Sequence, residues 1–409
     1  MRILLENEVF KHQGGSETIA LHTYEILKEY GHDVFFFATD KKDYYEKDYK
    51  YSKYFPKFVY NTKEFIKNPI AYFWNFEAEK KFREMIKEVK PDIIHLNLLI
   101  SPSILKVCKE MKIPTVMTLH IPSPICPANN FYLKNKTLCN DFKCKNGNYW
   151  HCIFNSCKSK FPESNIRKAI LSYIYNITKS YSAIDYIICP SDALKDFVMK
   201  TNIGINKEKL ITIPNFLGKD EIKIIPNYQN KGYFLYVGRL EKVKGVQHLL
   251  EAVKNLPKEI EFHIVGTGAY EQTLKTYADE NNLNNVKFIG YKNREEIQKE
   301  YHDCISLIVP SDWFEIFGMI NIEAFIHGKP VIASKIGGIP EIIENDKNGL
   351  LFTPGNVKEI QEHILKYWNN PEQVISHGKN AYNKAINEYN IEKYYHRLIK
   401  IYEEITNAK

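Results

Sequence analysis

The sequence predicts an α/β protein with two doubly wound domains, each built on a parallel sheet. The chain has 409 residues, which is more than one hydrophobic core usually supports, so two domains of similar size are expected. Short β-branched runs alternate with segments of helical period, a pattern typical of parallel sheets covered on both faces. This alternation occurs in two series separated by an aperiodic stretch, and right-handed crossovers then give two such domains.

The first series of strands occupies the N-terminal half of the chain. The predicted strands are 3–5, 34–38, 93–96, 115–119 and 186–189, with helices at 16–30 and 77–89. Residues 122–164 interrupt this alternation of strands and helices, because they show no clear strand or helix period. Long loops of this kind in compact domains are often functional.

The second series begins after residues 216–232, where Gly218, Pro226 and Asn230 break the periodicity. The predicted strands are 234–237, 262–265, 287–289, 306–309, 331–333 and 350–352, with helices at 246–255, 293–302, 357–369 and 391–405. We therefore predict domains at 1–215 and 233–388, a linker at 216–232 and a C-terminal segment at 389–409.

Composition argues against a disordered or membrane-spanning chain. The hydrophobic fraction is 44% and the charged fraction 26%, both ordinary for a globular protein, and no apolar run is long enough to cross a bilayer. The N-terminal apolar run meets Glu6 at once, which predicts a first strand rather than a signal peptide. These observations predict a cytoplasmic protein with reduced thiols. The charge of +7 suits a phosphorylated ligand or the inner face of a membrane, and a solvated surface explains it equally well.

Two turns after predicted strands are candidates for phosphate binding. Gly14 and Gly15 precede the first helix and let a ligand approach backbone amides, although a plain strand-to-helix turn has the same pattern. Gly238 and Arg239 follow the first strand of the second domain, and Lys244 comes five residues later. Arg can grip phosphate oxygens bidentately and Lys adds a point charge. Two surface cations beside a helix start are the alternative.

Glu315 and Glu323 flank a Phe-Gly turn. Glu315 lies in the loop after a predicted strand and Glu323 about one and a half turns inside the next helix, so the two carboxylates can reach different parts of one ligand. A solvated Glu on an exposed helix face is the alternative for Glu323. The amides free to bind phosphate or sugar oxygens are those of Phe317, Gly318, Met319 and Ile320.

Five motifs follow one another along the chain. They are Gly14-Gly15-Ser16-Glu17, Gly238-Arg239 with Lys244-Gly245, Val265-Gly266-Thr267-Gly268, Glu315 with Phe317-Gly318 and Glu323-Ala324, and Gly328-Lys329-Pro330 with Gly337-Gly338 and Glu341. This set resembles glycosyltransferase family 4, whose members are retaining transferases of the GT-B fold that need no metal for catalysis. The resemblance spans the chain into the final helix and keeps the order of the motifs.

The resemblance implies an architecture and a pair of substrates. Two Rossmann-like domains of a GT-B fold would face a central cleft, with residues 1–215 on the acceptor side and residues 233–388 binding the nucleotide sugar. The helix in 389–409 would cross back to the N-terminal domain. The donor would be a UDP- or GDP-sugar, and the acceptor a glycan or a lipid-linked glycan, in the synthesis of surface polysaccharide or glycolipid.

The resemblance also implies roles for individual residues. Arg239 and Lys244 would hold the donor diphosphate and stabilise its growing charge, and Glu315 would bind the transferred sugar. His120 would contact that sugar, although a histidine at a strand end is often a structural residue. In this family the leaving phosphate is usually taken to accept the acceptor's proton, and the sequence offers no separate base. Tyr291 and Lys292 would lie near the base of the nucleotide, and Glu323 would bind the ribose hydroxyls. The further donor-binding positions are Gly14, Gly15 and Gly266.

Two other functional classes are compatible with this sequence. A non-hydrolysing nucleotide-sugar epimerase shares the two-domain architecture, but it has no reason to keep Arg239 and Lys244 together with Glu315 and Glu323. A catalytically silent donor-binding subunit would keep those residues and could use the insertion at 122–164 as a docking module.

Five of the eight cysteines fall in the insertion. Cys139 and Cys144, and likewise Cys152 and Cys157, are separated by four residues, which is wider than the common spacer of zinc sites. Four thiolates could hold a structural zinc in a reducing compartment, and disulfides or unliganded thiols are the alternatives. Either Cys126 or His151 could replace one of the four ligands.

Residues 41–60 and 70–76 mix Lys with Tyr, Phe and Trp. Such a mixture suits a membrane interface or single-stranded nucleic acid, and a solvated loop is the alternative. Nothing else in the sequence points to nucleic acid, and no feature indicates an oligomeric state.

Overall fold

The computed structural model describes the chain except for residues 12–13, 42–44, 46–47, 58–64, 67, 124, 130, 134–138, 140–143, 158–161, 203 and 408–409. The described residues divide into two compact units. The first comprises Met1–Asn215 with Ile391–Lys409, and the second comprises Phe216–Asn390. A six-stranded sheet forms the central layer of each unit.

The first unit is built on a parallel sheet. Its strands are β1 (Arg2–Glu6), β2 (Asp33–Phe37), β3 (Ile93–Leu96), β4 (Thr115–Thr118), β5 (Tyr186–Cys189) and β6 (Leu210–Thr212). They lie in the order β2-β1-β3-β4-β5-β6. The strands are rich in Ile, Val and Phe because both faces of the sheet are covered. The sequence pattern does not predict β6, since a strand of three residues carries little periodic signal; pairing of Ile211 with Ile188 places it in the sheet.

The helices of the first unit that precede β6 lie between its strands along the chain. They are α1 (Gly15–Glu29), α2 (Pro69–Phe73), α3 (Phe76–Val89), α4 (Pro102–Met111), α5 (Trp150–Phe154), α6 (Pro162–Ile177) and α7 (Asp192–Met199). The side chain of Asn75 caps α3 and that of Ser191 caps α7, and both residue types are favoured at this position. Residues 122–164 show no clear helical period in the sequence, yet α5 lies there. Five residues are too few to show a helical period in the sequence.

The second unit has a second parallel sheet. Its strands are β7 (Tyr233–Val237), β8 (Glu261–Val265), β9 (Val286–Gly290), β10 (Leu307–Val309), β11 (Val331–Ser334) and β12 (Gly349–Phe352), in the order β12-β11-β10-β7-β8-β9. The helices are α8 (Val246–Val253), α9 (Glu271–Glu280), α10 (Arg294–Asp303), α11 (Met319–Ile326), α12 (Ile339–Ile342), α13 (Val357–Asn369) and α14 (Pro371–Glu388). Phe234, Phe262 and Leu250 belong to the buried cluster between sheet and helices.

The last helix, α15 (Ile391–Asn407), belongs to the first unit. Its apolar face carries Tyr394, Leu398 and Tyr402, which are buried. The hydroxyl of Tyr402 lies 2.6 Å from Nδ1 of the buried His95 on β3. No described helix is long and apolar enough to span a lipid bilayer.

In each sheet, successive strands of the chain are added first on one side of the opening strand and later on its other side. In the first unit this switch point lies between β1 and β3, and in the second between β7 and β10. Open α/β sheets bind ligands outside the carboxyl ends of the strands at such a switch point. The loops after these four strands are therefore where functional side chains are expected.

Candidate active site

The loops after β7 and β10 meet at the switch point of the second unit. Gly245 has φ +75°, and a Cβ there would lie 1.6 Å from the carbonyl oxygen of Pro310. The amide of Asp312 donates to the carbonyl of Val243 over 3.0 Å. Only glycine allows this backbone approach, so the motif that ends at Gly245 fixes the two loops against each other.

Lys244 and Glu315 form an ion pair across these loops. Nζ of Lys244 lies 2.6 Å from Oε1 of Glu315, and the two side chains are 20% and 15% exposed. The hydroxyl of Ser311 donates to the same carboxylate oxygen over 3.0 Å, and the ammonium lies 5.9 Å from the centroid of the Trp313 ring. The structure thus brings together two of the predicted site residues that are 71 positions apart.

The loop that carries Glu315 is also held from its other side. The amide of Gly338 donates to the carbonyl of Glu315 over 2.7 Å, and a Cβ at Gly337 would lie 2.2 Å from that oxygen. Gly318 has φ +94° and caps α11, so the helix begins at Met319 as the sequence predicts. Phe317 is buried, with its ring 5.6 Å from that of Tyr389.

Arg239 points toward solvent at the same strand end. Its side chain is 69% exposed, and Nη1 lies 2.6 Å from Oε1 of Glu241. A Cβ at Gly266 would lie 1.9 Å from the carbonyl oxygen of Gly238, so the turn after β8 packs directly on the turn that precedes Arg239. An exposed guanidinium beside this close backbone contact can swing toward a ligand over the strand ends.

Glu323 is the fifth residue of α11 and has a partner that the sequence does not reveal. The hydroxyl of Tyr301 donates to Oε2 of Glu323 over 2.9 Å. Burial, and then the like charge of Glu221, raise the pKa of Glu323 to about 7, whereas Arg294 favours the ionised form. Nη2 of Arg294 is 3.1 Å from Oε1 of Glu221. No local motif marks Tyr301, because its distance from Glu323 depends on how α10 packs beside α11.

The residues predicted near the base lie at the carboxyl end of β9. Tyr291 is 77% exposed, and Nζ of Lys292 lies 3.3 Å from Oε1 of Glu296. Lys292 also lines a cavity of about 380 Å³ together with His263, and the lining of that cavity does not include Glu323. A stacking ligand could still use the exposed ring of Tyr291.

In the first unit, Gly14 is the residue before α1 and Gly15 is its first residue. A Cβ at Gly14 would lie 2.7 Å from Oε2 of Glu17, so the glycine leaves room for that side chain. His120 follows β4, and its Nε2 donates to Oδ1 of Asn97 over 3.0 Å. Burial lowers the pKa of His120 to about 4, so the imidazole is neutral near pH 7.

His120 lines a cavity of about 460 Å³ at the strand ends of the first unit. The loops after β1, β3 and β4 contribute Glu8, Asn97 and His120, and α6 contributes Arg167 and Lys168. The positional rule for parallel strands could have found Glu8 and Asn97, since both come directly after a strand. It could not have found Arg167 and Lys168, which lie on a helix far along the chain.

The five cysteines of the insertion come together around one small cavity. Cys126, Cys139, Cys144, Cys152 and Cys157 line a space of about 30 Å³, and burial together with the neighbouring thiols raises the pKa of Cys144 to about 12. No group of three or more Cys, His, Asp or Glu side chains in the described part of the chain is placed so that it could hold a metal ion. The described side chains, as placed, therefore form no complete ligand set for the predicted zinc ion. The eight cysteines, all of which are described, are not joined in disulfide bonds, so the alternative of disulfides is not supported.

The Lys- and Tyr-rich stretch at 41–60 is described only in part, since Lys42, Lys47 and residues 58–60 lie outside the described residues. Within the described portion, the hydroxyl of Tyr49 accepts a hydrogen bond from the amide of Phe36 over 2.7 Å. The hydroxyl of Tyr49 thus pairs with an amide of the edge strand β2.

Two family models match the chain. The model described as Glycosyltransferase Family 4 matches residues 13–220, and the model described as Glycosyl transferases group 1 matches residues 219–384. The two matches adjoin at the boundary between the two units, so each unit corresponds to one model.

Similar proteins include glycosyltransferases from archaea and bacteria. An uncharacterised glycosyltransferase of Methanocaldococcus jannaschii is 27% identical over 412 residues, covering 100% of this chain and 99% of that protein. The amylovoran biosynthesis glycosyltransferase AmsK of Erwinia amylovora is 27% identical and covers 53% of this chain and 52% of its own. The crystal structure of HepE of Anabaena in complex with UDP has a TM-score of 0.70 at 19% identity, covering 99% of this chain and 100% of that one. The GT-B fold predicted from the sequence is thereby confirmed.

Proposed function

The chain belongs to glycosyltransferase family 4, and on this basis we propose that it transfers a sugar from a nucleoside-diphosphate sugar to a glycan or lipid-linked acceptor with retention of configuration. The observation that carries the proposal is the ion pair of Lys244 and Glu315 at the switch point of the second unit. A cation and a carboxylate fixed side by side can bind a diphosphate and a sugar hydroxyl of the same donor.

Charge stabilisation on the leaving diphosphate is the main catalytic contribution in this proposal. When the bond between the anomeric carbon and the phosphate oxygen breaks, negative charge grows on the nucleoside diphosphate. Lys244 is fixed by Glu315 and keeps further N–H donors for phosphate oxygens. Arg239 adds an exposed guanidinium, and the free amides at the start of α11 add fixed dipoles. Fixed donors of this kind need no reorganisation during the reaction.

Glu315 and Glu323 then bind the donor rather than act as an acid and base pair. Glu315 would accept a hydrogen bond from a hydroxyl of the transferred sugar while it holds Lys244. Glu323 would accept hydrogen bonds from the ribose hydroxyls when it is ionised, with Tyr301 fixing its other oxygen. Tyr291 and Lys292 would contact the base.

Retention is proposed to follow from attack on the face that the diphosphate leaves. The acceptor oxygen forms the new bond to the anomeric carbon, and its proton passes to the departing phosphate oxygen, so no enzyme base is required. The neutral state of His120 agrees with this, because an imidazole whose pKa is lowered to about 4 is a weak base near pH 7. His120, which donates a hydrogen bond to Asn97 in this structure, would instead orient a substrate hydroxyl by hydrogen bonding.

A panel of UDP- and GDP-sugars screened for thermal stabilisation tests donor binding, since a ligand that binds only the folded state must raise the melting temperature. We expect one donor class to stabilise the protein and to support transfer to a glycan or lipid-linked acceptor. Glu315→Ala should abolish transfer. Glu259 is exposed and follows α8 in the sequence, and the control Glu259→Ala should leave transfer unchanged. Donor binding without transfer to any acceptor would instead favour the silent donor-binding subunit.

We also propose that the cysteine cavity holds a structural zinc and that the protein works in the reducing cytoplasm. Five thiols around one cavity support the zinc site, because four thiolates are a zinc ligand set. Protein purified without chelators should contain about one equivalent of zinc. Cys152→Ser should lose the metal and Cys304→Ser, a buried cysteine of the second unit, should keep it. Absence of zinc from the wild-type protein would refute this site.

A further inference from the structure

The cavity of the first unit has a wall that the proposed catalytic roles do not use. α6 contributes Ser164, Arg167, Lys168, Leu171 and Tyr175 to its lining. These positions recur every three or four residues, so they form one face of the helix. The loops that carry Asn97 and His120 line the same cavity. A substrate placed beside His120 therefore also meets this face of α6.

Arg167 is an unusual residue on that face. Its guanidinium carbon lies 4.5 Å from the ring centroid of Phe65 and 5.6 Å from that of Tyr72. Its Nε is buried, and no described residue accepts a hydrogen bond from it. A buried N–H without an acceptor costs free energy comparable to a lost hydrogen bond. Stacking fixes the plane of the guanidinium, so an anion in the cavity would meet a donor that is already oriented.

The charges around the cavity leave a positive excess. Arg167 and Lys168 are the lining cations and Glu8 is the lining carboxylate, while His120 is neutral near pH 7. Burial, and then the like charge of Glu17, raise the pKa of Glu8 to about 6, whereas Lys41 and Lys168 favour its ionised form. Glu8 and Lys168 thus offset each other, and the charge of Arg167 has no counterpart in the lining.

Apolar side chains share the lining with the polar residues Asn97, Ser123, Asn129 and Ser164. Leu98, Leu99, Ile121 and Leu171 face the same space as the polar groups. A cavity of about 460 Å³ is within the range that takes a small organic ligand. A bare inorganic anion would leave these side chains without a partner, whereas a neutral sugar would leave Arg167 without one.

We propose that the acceptor is an amphiphile with an anionic group of the phosphate-ester class beside an apolar segment, and that Arg167 binds this anion. The inference deepens the proposed function, since it names the chemistry of the acceptor. Lys168 assists electrostatically, and the leucines and Ile121 take the apolar segment. An acceptor held in this way would present a neighbouring hydroxyl to His120.

Isothermal titration calorimetry with dodecyl phosphate, below its micellar concentration, tests the proposal without needing the natural acceptor. Inorganic phosphate and dodecyl maltoside are the matched probes that lack the apolar chain or the charge. We expect dodecyl phosphate to bind at least tenfold more tightly than either. If inorganic phosphate binds equally tightly, the site does not recognise an apolar segment. If dodecyl maltoside binds equally tightly, the site does not recognise an anionic group. Either result would overturn the proposal.

Variants then assign the anion to Arg167. Arg167→Gln should weaken dodecyl phosphate binding about 10- to 100-fold, the usual range for a charge-assisted pair. Arg167→Lys keeps the charge and should give an intermediate loss, which preserves the test if the Gln variant folds poorly. Lys200→Gln, at an exposed cation beyond α7, should bind like the wild type. Unchanged binding in both Arg167 variants would overturn the assignment.

The donor screen separates failure of this inference from failure of the proposed function. Arg167→Gln should keep the donor's thermal stabilisation, because donor binding is assigned to the second unit. If wild-type protein binds dodecyl phosphate through Arg167 but no nucleotide sugar, the transferase proposal fails and the anion site stands. If a donor binds and dodecyl phosphate does not, the anion site fails and the transferase proposal stands.

Discussion

Replacement of Lys244 by Met measures the electrostatic contribution that the proposed mechanism assigns to one ammonium group. Nζ lies 2.6 Å from Oε1 of Glu315, and the Lys244 side chain is 20% exposed, so water screens its charge weakly. Loss of one preorganised donor to a developing anion typically costs about 2.7–4 kcal/mol, or roughly 10²–10³-fold in kcat. Met is an unbranched side chain that replaces most of the apolar stem of Lys, so packing changes little.

The stability of the variant must be measured alongside its activity. Glu315 loses its cation in Lys244→Met but keeps the hydrogen bond from Ser311. A hydrogen bond to a charged group contributes about 1.5–3 kcal/mol, and we expect the free energy of unfolding to fall by that amount. Urea denaturation measures this loss. Combining the variant with Glu315→Gln in a double-mutant cycle should show that the two losses overlap, because each substitution breaks the same pair.

The assay follows release of the nucleoside diphosphate with the donor that the thermal screen identifies. Lys242→Met is the matched control, since Lys242 is exposed on the same short turn. We expect a large loss of kcat for Lys244→Met and almost none for Lys242→Met. A loss below tenfold in a fully folded Lys244 variant, or an equal loss in the control, would refute the electrostatic role.

Three further predictions follow from single contacts. Because the pKa of Glu323 is raised to about 7, its carboxyl takes up a proton as the pH falls through 7. The KM for the donor should therefore rise about tenfold between pH 8 and pH 6. Glu323→Gln should remove this pH dependence of KM, and a KM that still depends on pH in the variant would contradict the role of Glu323. Gly245→Ala should lower the free energy of unfolding, measured by urea denaturation, by more than about 2 kcal/mol. The reason is that φ is +75° and the new Cβ would overlap a backbone carbonyl. An unchanged free energy of unfolding would show that the loops after β7 and β10 are not tightly fixed. Tyr402→Phe should cost about 1–3 kcal/mol, because it leaves a buried histidine nitrogen without its partner, and an unchanged urea midpoint would show that this contact does not anchor α15.

The donor-side residues could be predicted because their positions follow from local pattern. A strand is recognised by its apolar run, and in a parallel sheet every carboxyl end lies at the same edge. Arg239 and Lys244 follow one strand and Glu315 another, so the sequence already places them near one another. The glycine at 245 is likewise visible, but the reason for it is not, since the carbonyl that it must clear belongs to Pro310 on another loop.

The partners of these residues could not be predicted in the same way. Tyr301 reaches Glu323 from a neighbouring helix, and Arg167 reaches the cavity of His120 from α6. Neither residue stands at a strand end or in a motif. Their distances to the site depend on how helices pack on the sheets, and packing follows from the summed fit of many apolar side chains rather than from a short pattern.

The sequence alone determined the fold class, the family and the loops that carry the donor-side residues, because hydrophobic periodicity and glycine-bearing turns are local properties of the chain. The ion pair of Lys244 with Glu315, the raised pKa of Glu323 and the unpaired Nε of Arg167 were decided by the tertiary structure. Each depends on burial and on partners distant in sequence, and burial is what makes a charge or a missing hydrogen bond energetically important. The same reasoning explains the cysteines. Their clustering was suggested by spacing, but whether the thiols surround a metal depends on side-chain positions that spacing does not determine.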